Sequence, residues 1–114
     1  MMQNYDKIIQ EKAQVVFMEM EKRVSAEDMT RILAAFELAR EAHAEQKRKS
    51  GEPYIIHPIA VATIVAEELK LGANPVIAAF LHDVVEDTAY TIDDIRQRFG
   101  DDVAFLVNVV TKKS

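Results

Sequence analysis

The sequence predicts an all-α fold, a helical bundle of about six helices. Apolar residues recur at intervals of three and four along most of the chain, which is the periodicity of helices with one buried face. The three glycines and three prolines fall where this pattern breaks. With 49% hydrophobic and 29% charged residues, 114 residues form one ordered domain, because two cores would each be too small to outweigh chain entropy.

The first two helices are predicted from about Tyr5 to Arg23 and from Ser25 to about Gln46. Ser25 precedes two acidic residues, an arrangement typical of an N-cap followed by a favourable first turn. We expect His43 to face the core as a hydrogen-bonded histidine. The imperfect stripe of the first helix comprises Ile8, Ile9, Lys12, Val15, Val16, Glu19 and Met20. The face of the second comprises Ile32, Leu33, Phe36, Ala39 and His43.

A polar surface loop and two further helices are predicted next. The helical pattern fails over residues 47–57, and residues 47–54 are polar and contain both a glycine and a proline, so they should form a surface loop. Pro58 suits the first turn of a third helix, which ends at Gly72. Asn74-Pro75 begins a fourth helix. Its run Val76–Leu81 is apolar on every side, so this helix should be enclosed by the others.

Two short helices complete the predicted bundle. Thr91, with Asp93 and Asp94, caps a fifth helix that ends at Gly100, and Val103–Val110 begins a sixth. The sixth stops almost as soon as it becomes apolar, which leaves its apolar residues in need of cover. Two explanations stay open: residues 1–114 are a truncated or fragmentary domain, incomplete at the C-terminus, or the helix packs on the first five. The uncovered face also favours self-association.

Charge and composition exclude several classes of protein. The 19 acidic and 14 basic residues give a formal net charge of −5, which disfavours bulk nucleic-acid binding. The absence of cysteine excludes disulfides, thiolate zinc sites and cysteine nucleophiles, and is compatible with a reducing compartment. No stretch reaches membrane-spanning length, and the polar start is no signal peptide. We therefore predict a cytoplasmic protein with no membrane partner.

The fourth helix ends in an abrupt cluster of chemistry-bearing residues, Leu81-His82-Asp83-Val84-Val85-Glu86-Asp87. Carboxylates at a helix C-terminus lose roughly 0.3–1 kcal/mol each, so something positive should lie nearby. Adjacent helical residues lie about 100° apart, so His82 and Asp83 could share an ion only with help from another element. His57 is the obvious supplier, and this donor set suits Mn, Fe or Zn better than Ca. Glu86 could reach the same face as a general base.

Less specific interpretations stay open for these residues. An isolated His-Asp pair is usually a capped helix end or a surface ion pair, and distance along the sequence cannot establish that His57 is close in space. The basic run Lys47-Arg48-Lys49 fits a solvated loop, or a loop that delivers cations to a phosphorylated ligand at the metal. Tyr54 or the guanidinium of Arg48 could stack on a base.

Two segments resemble a known family in their length, order and separation. They are Arg48-Lys49-Ser50-Gly51-Glu52-Pro53-Tyr54-Ile55, followed by His57-Pro58, and Leu81-His82-Asp83-Val84-Val85-Glu86-Asp87-Thr88. From about His43 to Lys112 the sequence resembles the HD hydrolase domain of the RelA/SpoT family. The resemblance implies an HD-type helical bundle that removes the 3′-pyrophosphate of the alarmone (p)ppGpp in the stringent response, giving GDP or GTP and pyrophosphate.

The resemblance also implies roles for individual residues. By position, the resemblance implies that His57, His82 and Asp83 bind Mn²⁺ or another divalent transition metal. It implies that Glu86 and Asp87 handle the attacking water. It further implies that Arg48 and Lys49 bind the guanosine nucleotide. The family's fourth ligand, an aspartate, comes later than residue 114. Where the family reads Asp-Gly-Val-Thr-Lys, residues 108–112 lack the glycine. A degenerate nucleotide-binding or regulatory module and an HD phosphohydrolase for another nucleotide stay open as alternatives.

Overall fold

The computed structural model describes residues 5–111 and contains six α-helices within that range. They are α1 (Tyr5–Glu21), α2 (Ala26–Ala42), α3 (Ile56–Thr63), α4 (Ala73–Asp87), α5 (Ile92–Phe99) and α6 (Asp101–Thr111), with a π-helical turn (Ile64–Glu68) continuing α3. Over the same residues, β-type pairing is confined to one isolated bridge between Lys47 and Pro53. The predicted all-α bundle is confirmed. None of these helices has the length and apolar character needed to cross a membrane.

Helix α4 lies at the centre of the bundle, as its apolar run predicts. Every residue from Val76 to Leu81 is buried, and α4 packs against α2, α3 and α6. Phe80 of this helix meets the rings of Phe36 and Phe17, with centroids 5.7 Å and 6.5 Å away. These contacts join α1, α2 and α4 in one core and leave the C-terminal end of α4 to carry polar residues.

The structure corrects both boundaries of the loop between α2 and α3. Helix α2 ends at Ala42 rather than Gln46. Helix α3 begins at Ile56 rather than Pro58, so His57 lies in the first turn of a helix and not at the end of a loop. The amide of His57 already donates to the carbonyl of Tyr54 at 2.9 Å, so the chain turns before α3 begins. Pro58 is tolerated because first-turn amides lack helical acceptors.

The buried faces of α1 and α2 differ from the predicted stripes. Val15 and Leu33, which were expected to be buried, are 42% and 43% exposed. The predicted faces were rotated slightly from the buried ones, because the packing of each helix against its neighbours decides which side of the apolar arc is covered. The buried residues are Ile9, Ala13, Val16, Phe17 and Met20 in α1, and Ile32, Ala35, Phe36, Leu38 and Ala39 in α2.

The third helix does not continue in regular form to Gly72. Its α-helical geometry ends at Thr63, the π-helical turn follows, and Lys70 adopts a positive φ of 56°. Gly72 is instead the N-cap of α4. The guanidinium of Arg23 donates to the carbonyls of Ala66, Lys70 and Leu71 at 2.9, 3.3 and 3.0 Å. Carbonyls that the irregular turn leaves without helical partners are therefore satisfied by a residue of the connection between α1 and α2.

The caps of α5 are confirmed, and α6 is longer than predicted. Thr91 and Asp94 form a reciprocal capping box, and Gly100 ends the helix with a φ of 97°. Helix α6 begins at Asp101 rather than Val103 and stays helical to Thr111, so residues 108–111 form no turn. It buries Val103, Ala104 and Val107, whereas Phe105, Val109 and Val110 are exposed, Phe105 by 67%.

Candidate metal centre

The structure brings His57, His82 and Asp83 together, although 24 residues lie between His57 and His82 in the sequence. One potential ligand atom from each residue lies within 4.8 Å of the other two. The Nε2 atom of His57 is 3.6 Å from Oδ2 of Asp83, and Nε2 of His82 is 3.2 Å from Oδ1 of the same carboxylate. The convergence rests on α3 and α4 packing side by side, so that the first turn of α3 faces the last turns of α4.

The orientation of His82 is fixed by its own helix. Its Nδ1 lies 2.8 Å from the carbonyl oxygen of Ala79, one turn earlier. A carbonyl oxygen can only accept, so Nδ1 carries a hydrogen, and in the neutral ring Nε2 then has the lone pair that a metal ion needs. Metal-binding histidines are commonly held in this way by a hydrogen bond from the other ring nitrogen.

Asp83 is buried and has a donor on the side away from His82. The hydroxyl of Tyr54 donates to its Oδ2 at 2.8 Å. Burial raises the pKa of Tyr54 well above its ordinary value, and the hydrogen bond to Asp83 raises it further, while the charge of Arg48 opposes the shift. The hydroxyl of Tyr54 therefore stays protonated at neutral pH and donates a hydrogen bond to the carboxylate of Asp83.

The donor set fits a divalent metal ion. Two ligand atoms that each lie about 2.1 Å from one ion are separated by about 3.0–3.4 Å at octahedral and tetrahedral angles. The 3.2 and 3.6 Å separations at Asp83 are close to this range. No basic residue lies in the last turn of α4 to balance its carboxylates. Two imidazoles and a carboxylate are the ligands that transition metals such as Mn, Fe and Zn accept, and a cation would offset the negative end of the helix dipole.

Glu86 and Asp87 lie in the last turn of α4, beyond the three clustered side chains. Both are exposed, and neither belongs to the group that could bind the ion. The side-chain amide of Gln46 approaches Oδ2 of Asp87 at 3.5 Å, a long contact. The two carboxylates are therefore open to solvent about one helical turn after His82 and Asp83.

The basic loop folds as a small hairpin beside the cluster. The amide of Arg48 donates to Glu52 at 2.9 Å, and Gly51 closes the turn with a φ of 95°. A cavity of about 530 Å³ opens between this hairpin and the start of α3. Arg48 and Lys49 are both exposed at its wall. The cavity is lined by Gln46, Lys47, Arg48, Lys49, Ser50, Tyr54 and His57.

Of two neighbours of the site, His43 has the expected role and Tyr54 does not. His43 faces the core as predicted, with 1% of its surface exposed and Nδ1 2.9 Å from Oε1 of Gln46, although its Nε2 has no partner within residues 5–111. Tyr54 was considered for base stacking, but its ring packs between His43 and His57 and its hydroxyl contacts Asp83. The sequence reasoning missed the contacts of Gln46 and Tyr54, and their closeness to the basic run was the available signal.

Comparison with known proteins identifies the family. The family model described as HD domain matches residues 35–114. This chain belongs to the HD domain family. HD domains bind divalent metals, which agrees with the cluster at the end of α4.

Relatives of this HD domain include enzymes of (p)ppGpp metabolism. It is 56% identical over 81 residues to a guanosine-3′,5′-bis(diphosphate) 3′-pyrophosphohydrolase of Aquifex aeolicus, covering 71% of this chain and 12% of the relative. It is 51% identical over 86 residues to the bifunctional (p)ppGpp synthase/hydrolase SpoT of Escherichia coli, covering 75% and 12%. The resemblance to the RelA/SpoT hydrolase domain is thus confirmed.

A solved structure agrees with the fold of this HD domain. It is described as a metazoan ortholog of SpoT that hydrolyses ppGpp, and it superposes with a TM-score of 0.69 and 36% identity. The match covers 77% of this chain and 49% of that structure. The chain spans about half of the solved structure and about an eighth of the two bacterial relatives.

Proposed function

We propose that this HD domain removes the 3′-pyrophosphate of (p)ppGpp by metal-dependent hydrolysis, giving GDP or GTP and pyrophosphate. The observation that carries the proposal is the cluster of His57, His82 and Asp83 at the edge of a cavity lined by basic residues. The relative from Aquifex aeolicus, named for this reaction, supports the substrate and the bond cleaved. A divalent ion beside a cavity lined by basic side chains suits a ligand rich in phosphate.

The metal ligands in this proposal are His57, His82 and Asp83. An ion held by them, Mn²⁺ or another divalent transition metal, would supply Lewis acidity and positive charge next to the pyrophosphate. The hydrogen bond from His82 to the carbonyl of Ala79 keeps Nε2 directed toward the site. His57 is the most exposed of the three, so the site is open to solvent and substrate on its side.

Glu86 and Asp87 handle the water in the proposed reaction. Glu86, exposed in the last turn of α4, accepts a proton from the attacking water, and Asp87 orients that water. The water oxygen forms a bond to the 3′-linked phosphorus. The bond from this phosphorus to the ribose 3′ oxygen breaks, and that oxygen takes up a proton. The reaction thereby consumes one water and releases pyrophosphate.

Arg48 and Lys49 bind the nucleotide in the same proposal. Both residues lie on the hairpin, line the cavity and are exposed to solvent. Guanidinium and ammonium groups contact phosphate oxygens by charge-assisted hydrogen bonds. Because the protein has a net charge of −5, this local basic run is needed to attract an anionic substrate.

The proposal extends to the surroundings of the protein. We propose that residues 1–114 act as one domain in the cytoplasm on a free guanosine nucleotide, without nucleic acid or a membrane as partner. The acidic net charge and the absence of cysteine support these choices. The exposed apolar residues of α6 support self-association.

Release of pyrophosphate from ppGpp, measured with added Mn²⁺ and again with excess EDTA, tests the proposed function. We expect release that requires the metal and that is abolished in His82→Ala and Asp83→Ala. Asp102→Ala, which removes an exposed carboxylate at the start of α6, should remain active. Retained activity in Asp83→Ala would overturn the ligand assignment. Metal binding without turnover would indicate a binding module, and cleavage of another nucleotide alone would indicate a different substrate.

A further inference from the structure

We propose that Tyr54 is a positioning residue that holds the carboxylate of Asp83 in the orientation needed to bind the metal ion. The inference rests on the metal site of the proposed function but not on its substrate. The hydroxyl of Tyr54 donates to Oδ2 of Asp83 at 2.8 Å. Its hydrogen bond goes to Asp83, one of the three residues that could bind the ion, so Tyr54 acts through Asp83.

The carboxylate of Asp83 needs such a constraint because its last torsion is soft. Terminal carboxylate torsions have broad energy wells, so packing alone leaves the two oxygens poorly oriented. Oδ1 of Asp83 lies next to His82, and its Oδ2 lies next to His57. Each carboxylate oxygen therefore faces an imidazole that could bind the same metal ion. The hydrogen bond from Tyr54 fixes the rotation and also removes part of the negative charge on Oδ2.

Tyr54 is rigid enough to transmit this constraint. Its amide donates to the carbonyl of Gln46 at 2.9 Å, and its carbonyl accepts from the amide of His57 at 2.9 Å. Its ring centroid lies 4.9 Å from that of buried His43 and 5.8 Å from that of His57. The aromatic ring is therefore held by two neighbouring rings, and the backbone of Tyr54 is held by hydrogen bonds at its amide and its carbonyl.

The position of Tyr54 also connects the basic hairpin to the metal site. The hairpin that carries Arg48 ends at Tyr54, and Gln46 at its start holds Nδ1 of His43 at 2.9 Å. A displacement of the hairpin would therefore move the donor to Asp83. The segment that lines the cavity proposed to bind the phosphates also holds a metal ligand, Asp83, in place. The hydroxyl group of Tyr54 thereby links substrate binding to the geometry of the metal site.

Replacement of Tyr54 by phenylalanine tests the inference, because it removes the hydroxyl and keeps the ring. We expect Tyr54→Phe to weaken Mn²⁺ binding at least about 10-fold in isothermal titration calorimetry, the effect typical of groups that orient metal ligands. Tyr90→Phe is the matched control, since it makes the same chemical change on the connection between α4 and α5. The control should bind Mn²⁺ with the affinity of the unaltered protein.

Thermal unfolding without metal separates positioning from general stability. If Tyr54→Phe lowers Tm but binds Mn²⁺ as tightly as the unaltered protein, the hydroxyl is merely structural and the inference fails, even if ppGpp is hydrolysed. If Mn²⁺ binding weakens as expected while ppGpp is never cleaved, the inference stands and the proposed substrate fails. Should Tyr54→Phe not fold, a crystal of the unaltered protein grown with Mn²⁺ keeps the test: a Tyr54 hydroxyl within hydrogen-bond distance of the metal-bound carboxylate of Asp83 supports the inference, and a hydroxyl turned away from it overturns the inference.

Discussion

His82 and Asp83 follow each other on α4, and neighbouring helical side chains ordinarily diverge by about 100°. They lie together here because His82 turns back toward the carbonyl of Ala79, and its Nε2 is 3.2 Å from Oδ1 of Asp83. His57 then approaches the other carboxylate oxygen from α3. The site is thus assembled from local side-chain conformations on α4 and a single long-range approach.

Glu86→Gln separates proton transfer from metal binding. The amide cannot accept the proton of the attacking water, so kcat should fall by a factor of about 100 or more. Mn²⁺ affinity should stay unchanged, because Glu86 lies outside the ligand group. Steady-state kinetics and calorimetry measure the two quantities. Glu67→Gln, on the exposed surface of the π-helical turn, is the control. An unaltered kcat in Glu86→Gln would remove Glu86 from the mechanism.

Arg48→Ala should act on substrate binding. Loss of one charge-assisted contact to phosphate is worth about 1.5–3 kcal/mol, so KM for ppGpp should rise about 10-fold or more. The affinity for Mn²⁺ and Tm should change little, since Arg48 is exposed on the hairpin. Arg98→Ala, on the exposed face of α5, provides the comparison. If KM for ppGpp is the same in Arg48→Ala and Arg98→Ala, the nucleotide binds at another surface.

The chemistry of the site could be predicted from the sequence to different depths. His82, Asp83 and Glu86 are consecutive or one turn apart, so helical periodicity alone relates them. The approach of His57 depends on the packing of α3 against α4, and local sequence patterns do not encode it. The hydrogen bond from Tyr54 depends further on the shape of the hairpin, which explains why it was missed.

Some helix ends are likewise determined by residues close in the sequence, and others by contacts with distant segments. The capping box of Thr91 and Asp94 and the N-cap at Ser25 were predictable because each involves residues three apart. The irregular end of α3 was not, since Arg23 of another segment stabilises it. Glu19 contacts the same arginine: burial opposes ionisation, but Lys70 and Arg23 together lower the pKa of Glu19 below its ordinary value.

Arg23→Ala should therefore loosen the connection between α3 and α4. It removes hydrogen bonds to the carbonyls of Ala66, Lys70 and Leu71, and we expect the free energy of unfolding to fall by about 1–3 kcal/mol. Arg23→Lys should recover only part of this, because an ammonium lacks the planar fork. Urea denaturation measures the change. Lys22→Ala, at an exposed neighbour, should have little effect. Equal stability of Arg23→Ala and Lys22→Ala would contradict the proposed role of the guanidinium.

Across the bundle, the apolar pattern predicted the central position of α4, because only an enclosed helix is apolar on every side. The same reasoning left α6 uncovered, and the structure divides its residues: Val103 and Val107 are buried, whereas Phe105 and Val110 are exposed. Which partner covers an exposed face depends on other molecules or segments, so pattern analysis could not decide it.

Self-association through α6 stays a prediction. Sedimentation velocity should show a concentration-dependent dimer that Phe105→Glu disperses, because a charge would be buried at the interface. Leu33→Glu, which alters another exposed apolar residue on α2, should leave the dimer intact. A protein that is monomeric at every concentration would rule out this use of the surface.

Anomalous diffraction from a crystal grown with Mn²⁺ would show directly whether two imidazoles and one carboxylate meet around a single ion. We expect one strong peak about 2.0–2.3 Å from Nε2 of His57, Nε2 of His82 and an oxygen of Asp83. A peak bound to other side chains, or one from which the ring of His57 is turned away, would contradict the proposed metal centre.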